Sequence, residues 1–106
     1  MCTARGNLKS ISMQRIKYKD YLYKISVDLD NILELNEQKK TVLVEPSVTI
    51  GTLNDFLISK GWTLPVVPEL DDLTIGGLVM GEGIETTSQK YGLFKWSCRW
   101  VKIISK

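Results

Sequence analysis

Five glycines crowd into residues 68–92, at positions 76, 77, 81, 83 and 92, in a chain of 106 residues. A glycine inside a helix or strand costs about 0.5–1 kcal/mol relative to alanine, so no long regular element persists through such a stretch. The segment PELDDLTIGGLVMGEGIETTSQKYG is therefore expected to be irregular backbone, with room for one short helix after Thr74. What remains suffices for one modest core, because a domain of this size buries roughly two thirds of the surface its unfolded chain exposes.

Upstream, the periodicities are those of a small α+β domain. Residues 24–29 alternate Ile25, Val27 and Leu29 with Ser26 and Asp28, which predicts a half-buried strand. Residues 32–35 and 41–45 are two more extended runs joined by the polar stretch NEQKK, which predicts a hairpin whose second arm stops at Pro46. Beyond it the period lengthens: Ile50, Leu53, Phe56 and Leu57 share one helical face, and Asn54, Asp55 and Ser59 the other. Thr49 is placed to cap a helix over residues 50–60, and Gly61 to end it. Residues 62–67 read as an extended passage and residues 101–104 as a closing strand. Trp62, Trp96 and Trp100, isolated among apolar neighbours, read as core residues and not as cofactor platforms. No internal repeat, linker or low-complexity tract is evident. Strands, then a helix, then irregular backbone make an α+β chain and not a regular βαβ repeat.

What the sequence lacks narrows the chemistry. There is no histidine, and Cys2 and Cys98 are the only cysteines. Histidine-dependent triads, Cys-His pairs and four-ligand zinc sites are thereby excluded, no metal is expected, and the cysteines read as two free thiols. A hydrophobic share of 43% with 25% charged residues is that of a globular chain. No apolar run is long enough to span a membrane, and the first twenty residues lack the apolar centre of a signal peptide, so any anchor is expected outside this sequence.

The formal charge of +2 is unevenly distributed. Within residues 1–24, Arg5, Lys9, Arg15, Lys17, Lys19 and Lys24 face only Asp20, with Tyr18, Tyr21 and Tyr23 interleaved. Such a segment can touch phosphates and stack on bases, or lie on an anionic membrane face. It reads more simply as a solvated surface, and no nucleic-acid partner is expected. Residues 61–89 invert the pattern, with Glu69, Asp71, Asp72, Glu82 and Glu85 and no Lys or Arg.

The glycine-rich block is the candidate site. Thr74 can cap a short helix beginning Ile75-Gly76-Gly77, leaving bare N–H groups that would hold a phosphate. The order is neither G-x-G-x-x-G nor a P-loop ending in G-K-[ST]. On the glycines alone, a tight turn and a ligand loop stand as equal alternatives. A diphosphate here would have to be held by backbone N–H groups against the acidic flank, with Glu85 the carboxylate that faces the ligand side.

The run VEPSVTIGTLNDFLISKGWTLPVVPELDDLTIGGLVMGEGIETTSQKYGLF, residues 44–94, closely resembles the flavin-binding region of the delta(24)-sterol reductase family. The block PELDDLT-x-GGL-x-x-G-x-GIE followed by KYGLF carries most of the likeness, with weaker similarity in MCTAR (residues 1–5) and DLDNILEL (residues 28–35). The resemblance implies a PCMH-type, vanillyl-alcohol-oxidase-like FAD-binding domain of α+β class. Residues 1–106 would be part of it, and the family's membrane anchor and substrate domain would lie outside them. It implies that Thr74, Ile75, Gly76, Gly77, Leu78, Val79, Met80, Gly81, Glu82, Gly83, Ile84, Glu85 and Thr86 lie along FAD, with Gly76 and Gly77 approaching the pyrophosphate. No catalytic residue is assigned. The implied reaction is reduction of the C24–C25 double bond of a sterol side chain, with NADPH as electron donor and FAD as relay, at the endoplasmic reticulum membrane for the full-length family. On this reading, replacing Gly76 or Gly77 by Val removes FAD binding with little loss of fold. Gln89 stands where the family has histidine, so no proton-transfer role is expected there, and Gly6 stands where it has proline. The alternative is a non-catalytic binding or interaction module that keeps the fold without the flavin.

Overall fold

The computed structural model describes residues 1–4 and 17–105. Strand β1 (Cys2–Thr3) and strand β2 (Lys24–Ile25) pair in parallel, Cys2 opposite Lys24 and Thr3 opposite Ile25. The strand expected over residues 24–29 thus ends at Ile25. An alternating pattern specifies which face is apolar but supplies no partner strand, and past Ile25 the Leu29 carbonyl accepts from the Ser47 N–H instead, at 2.8 Å. Of the basic opening, Arg5, Lys9 and Arg15 lie outside the described residues. Lys19 departs from the expected solvated surface: it sits in a 3-10 turn (Lys17–Tyr21), is 6% exposed, and its ammonium donates to the Thr3 carbonyl at 3.1 Å.

The hairpin forms as its pattern predicts. Strand β3 (Ile32–Asn36) runs antiparallel to β4 (Thr41–Val44), with Asn36 opposite Thr41, Ile32 opposite Val44 and a bulge between Ile32 and Glu34. At its tip the Asn36 side chain accepts from the Lys39 N–H at 2.9 Å, and Lys40 takes a positive φ of 51°. This is the local turn chemistry for which asparagine is selected.

Helix α1 (Ile50–Ser59) begins at Thr49, whose hydroxyl accepts from the Thr52 N–H at 3.3 Å, and is followed by Gly61 at φ 78°. Ile50, Leu53 and Leu57 are buried, as their spacing requires. Leu53 and Leu57 pack with Val48 against Ile32, Leu35, Val42 and Val44 of the hairpin and against Trp62. Full burial of such a side chain stabilises by about 1.5–3 kcal/mol, so this face of α1 anchors the domain. A second apolar cluster joins Ile50 to Val66, to Leu78 of helix α2 (Ile75–Gly81), and to Phe94 in a 3-10 turn (Phe94–Ser97). Helix α3 (Ser88–Tyr91) lies between them in sequence.

The end of the chain departs from expectation. Residues 101–104 form no strand, and Val101, Ile103 and Ile104 are exposed. Trp62 is half-buried against the core, but Trp96 and Trp100 are 68% and 60% exposed. Apolar character alone cannot bury a segment that finds no edge or face to meet it, and among the described residues none does.

The absence of an internal repeat also needs correction. The segments VTIGTL and LTIGGL, residues 48–53 and 73–78, begin α1 and α2, and Thr49 bridges Thr74 antiparallel. The Ile50 N–H donates to the Leu73 carbonyl at 2.8 Å, and the Ile75 N–H to the Val48 carbonyl at 2.9 Å. Likewise Gly51 donates to Asp71 at 3.0 Å, and Gly76 to Pro46 at 2.9 Å. A similarity this short is hidden in sequence by the unlike residues that follow each copy.

Candidate functional site

All thirteen candidate residues, 74–86, fall on α2 and the loop after it. The expected bare N–H groups at the start of α2 are not bare. Ile75 and Gly76 donate to the carbonyls of Val48 and Pro46, Gly77 donates to the Thr74 hydroxyl at 3.3 Å, and Leu78 to the Thr74 carbonyl at 3.0 Å. The orphan donors of Ile75, Gly76 and Gly77 are therefore satisfied within the chain, and Leu78 makes the first regular helical bond. Gly76 is also closely packed: a Cβ there would lie 2.9 Å from Pro46 Cβ and 3.1 Å from its carbonyl oxygen. Valine at position 76 is thus expected to disturb the fold, contrary to the expectation from sequence.

The other glycines divide cleanly. Gly83, at φ 58°, would place a Cβ 2.7 Å from Phe94 Cβ, and Gly92, at φ 80°, would drive one into the Trp96 ring. Both are packing positions. A Cβ at Gly77, by contrast, meets only its own cap hydroxyl at 3.1 Å, and one at Gly81 meets nothing within 4 Å. These two lie one helical turn apart and are exposed, and Met80, 86% exposed, lies opposite the buried Leu78, with Ile84 74% exposed in the loop beyond. Gly81, which forfeits helix stability with no neighbour to accommodate, leaves room for something outside the chain.

Donors are available nearby, though not where sequence placed them. Among the described residues no acceptor takes the N–H of Gly83, Ile84 or Thr86, whereas the Glu85 N–H is taken by the Ser88 hydroxyl at 2.9 Å. The chain reverses here through Glu82 at φ 74° and Gly83, and the turn is pinned by the Phe94 N–H on the Gly83 carbonyl at 2.9 Å. The acidic flank is less adverse than its composition suggests. Glu82 pairs with Lys95, a residue beyond the acidic stretch, and Glu69, Asp71 and Asp72 are exposed to water. Glu85 is half-buried.

The family model for an FAD binding domain matches residues 2–106. The chain belongs to this family. Among curated proteins, this FAD binding domain is similar to the delta(24)-sterol reductase of Homo sapiens, 52% identical over 98 residues that make up 92% of the chain and 19% of the relative. A delta(24)-sterol reductase homologue of Caenorhabditis elegans is 46% identical over 105 residues, 98% of the chain and 20% of that protein. The enzyme of Arabidopsis thaliana is 44% identical over 97 residues, 89% of the chain and 17% of its own length. The chain thus spans about a fifth of the relatives it matches. No solved structure matches it.

Set against a dinucleotide, the FAD binding domain fits over part of its candidate block. The open Cβ position at Gly81, the uncovered Met80 and Ile84 and the free N–H groups of Gly83, Ile84 and Thr86 suit a flat, partly apolar ligand bearing oxygen acceptors. Ile75 and Gly76 have neither room nor donors left. Sequence reasoning missed Pro46, Gly51, Phe94, Trp96 and Lys95, which shape the site from outside the block. The signal that could have found Gly51 was its place in the first of the two T-I-G-x-L segments.

Proposed function

We propose that residues 74–86 form part of the FAD site of a delta(24)-sterol reductase, with contact made by the outer face of α2 and the loop that follows. The observation that carries this reading is the division among the glycines: a Cβ at Gly81 would meet nothing within 4 Å and one at Gly77 only its own cap hydroxyl, while Gly76, Gly83 and Gly92 are filled by neighbours from elsewhere in the chain. When bound, FAD supplies the relay that passes a hydride from NADPH to the C24–C25 double bond of a sterol side chain. The residues here hold and orient it. The N–H groups of Gly83, Ile84 and Thr86 receive its oxygens, Met80 and Ile84 cover apolar surface, and the Lys95–Glu82 pair removes one negative charge from the approach.

On this reading residues 1–106 are one portion of a PCMH-type domain. The rest of the cradle and the sterol pocket belong to sequence that the relatives carry beyond the matched fifth. Location at the endoplasmic reticulum membrane is likewise part of the proposal and rests on the resemblance alone; among the described residues no helix is long and apolar enough to cross a membrane.

The test is retention of flavin. The chain is mixed with FAD, desalted and read by visible absorption, then compared with Gly77→Val and Gly81→Val. Retained flavin in the parent and none in folded variants is the expected result. A folded parent that never retains flavin would instead indicate a binding module that keeps the fold without the cofactor.

A further inference from the structure

The hydrogen bonds that join α1 to α2 come in matched pairs. Each donor and acceptor in one copy has a counterpart at the same offset in the other: Ile50 to Leu73 with Ile75 to Val48, and Gly51 to Asp71 with Gly76 to Pro46. Thr52 to the Thr49 hydroxyl matches Gly77 to the Thr74 hydroxyl, and Leu53 to the Thr49 carbonyl matches Leu78 to the Thr74 carbonyl. The caps share a backbone conformation, Thr49 at φ −87°, ψ 158° and Thr74 at φ −92°, ψ 150°. Their mutual bridge marks a local two-fold axis.

The glycines obey the same relation. A Cβ on Gly51 would lie 3.0 Å from Asp71 Cβ, and one on Gly76 would lie 2.9 Å from Pro46 Cβ. Each glycine thus lets the opposite copy's backbone approach. Within T-I-G-x-L the two copies differ at Thr52 against Gly77, where a Cβ in the second copy would meet only the Thr74 hydroxyl, at 3.1 Å.

We propose that residues 46–53 and 71–78 act as one pseudo-two-fold clasp that opens and closes as a unit, making Gly51 a positioning residue for the ligand face of α2 on a par with Gly76. Each copy supplies the carbonyls that satisfy the other copy's orphan N–H groups, so parting them strands donors at both helix starts together. A parted clasp keeps only the local bonds to Thr49 and Thr74. The seven residues of α2 are too few to persist as an isolated helix, and their order is borrowed from α1 through the clasp. The role of Gly51 toward the ligand rests on the flavin reading above, whereas the clasp itself does not.

Hydrogen exchange on the full chain separates the two. In the parent, the N–H groups of Ile50, Gly51, Ile75 and Gly76 are expected to share one opening equilibrium with a common denaturant dependence. Gly51→Ala is expected to speed exchange at Ile75 and Gly76, and Gly76→Ala to speed it at Ile50 and Gly51, in each case at least about fivefold, the lower end of a reciprocal coupling. Separate opening equilibria in the parent, or a variant that loosens its own copy alone, would overturn the clasp. If either variant fails to fold, the parent measurement decides by itself.

FAD retention is then read at a temperature where Gly51→Ala is fully folded. A loss matching that of Gly76→Ala supports the positioning role, and full retention removes it. A parent that holds no FAD defeats the flavin reading and the positioning role together, while the exchange result still decides the clasp.

Discussion

From Thr49 and from Thr74 the chain launches two helices with the same cap, the same isoleucine–glycine pair and the same inward leucine. Yet α1 runs ten residues and buries Ile50, Leu53 and Leu57, whereas α2 stops after seven with Leu78 alone buried. The difference arises after the first turn. In α1 the chain continues Asn54-Asp55-Phe56-Leu57, adding an apolar anchor on the inner face and polar residues outside. In α2 it continues Val79-Met80-Gly81, which ends the helix early and leaves its outer face apolar and unobstructed. One start serves two ends: α1 is a structural anchor, and α2 is a platform held out by that anchor.

The strongest way to break this comparison is to charge both helices. Leu53→Asp places an unpaired carboxylate at a position 2% exposed and is expected to cost more than about 4 kcal/mol, enough to unfold a domain this small. Met80→Asp, on a side chain 86% exposed, is expected to move stability by less than about 0.5 kcal/mol while reducing FAD retention. Circular dichroism in urea checks both. A folded Leu53→Asp or an unfolded Met80→Asp would erase the distinction between anchor and platform.

Much of the anchor half is legible in the sequence, because its signals are local. The spacing of Ile50, Leu53 and Leu57, the Thr49 cap, Gly61 and the Asn36 turn each act over a few residues, and each reappears in the structure. The platform half is less legible. Glycine reports that the backbone may be approached but not by what: Pro46 meets Gly76, Phe94 meets Gly83 and Trp96 meets Gly92, all from distant sequence. The strand over residues 24–29 and the closing strand failed for a related reason, since alternation marks a face while pairing needs an edge supplied elsewhere. Trp96 and Trp100 read as core from their apolar neighbours in sequence, and that reading failed because neighbours in sequence are not neighbours in space.

A smaller effect is expected at the reversal that ends the platform. Gly83→Ala combines a φ of 58° with a Cβ 2.7 Å from Phe94 Cβ, and its cost should be roughly 1–3 kcal/mol. Because Phe94 shares a cluster with Ile50, the loss should appear as a lower urea midpoint for the whole domain and not as local fraying. An unchanged midpoint would mean that the loop is uncoupled from the core. Thr49→Ala and Thr74→Ala should each cost about 1 kcal/mol, the usual loss of a helix cap, since both hydroxyls accept at 3.3 Å. Clearly unequal losses would show that equal geometry at the two starts hides unequal coupling.

The smallest effect has the opposite sign, and it sharpens the comparison most. Gly81→Ala adds a Cβ where nothing lies within 4 Å, in the last turn of α2 and without a positive φ to strain it. Removing one glycine's unfolded freedom from a helix should stabilise by about 0.4–1 kcal/mol, raising the melting temperature of a domain this size by roughly 2–8 °C. An anchor position offers no such gain, because its glycine, Gly51, already meets Asp71 at 3.0 Å. If α2 is a platform for FAD, the more stable Gly81→Ala chain should hold flavin less well, since the new methyl group occupies the approach. Stability and binding would then move in opposite directions at one residue, which simple unfolding cannot mimic. A variant more stable than the parent that retains flavin equally would place the ligand elsewhere on the helix, toward Gly77.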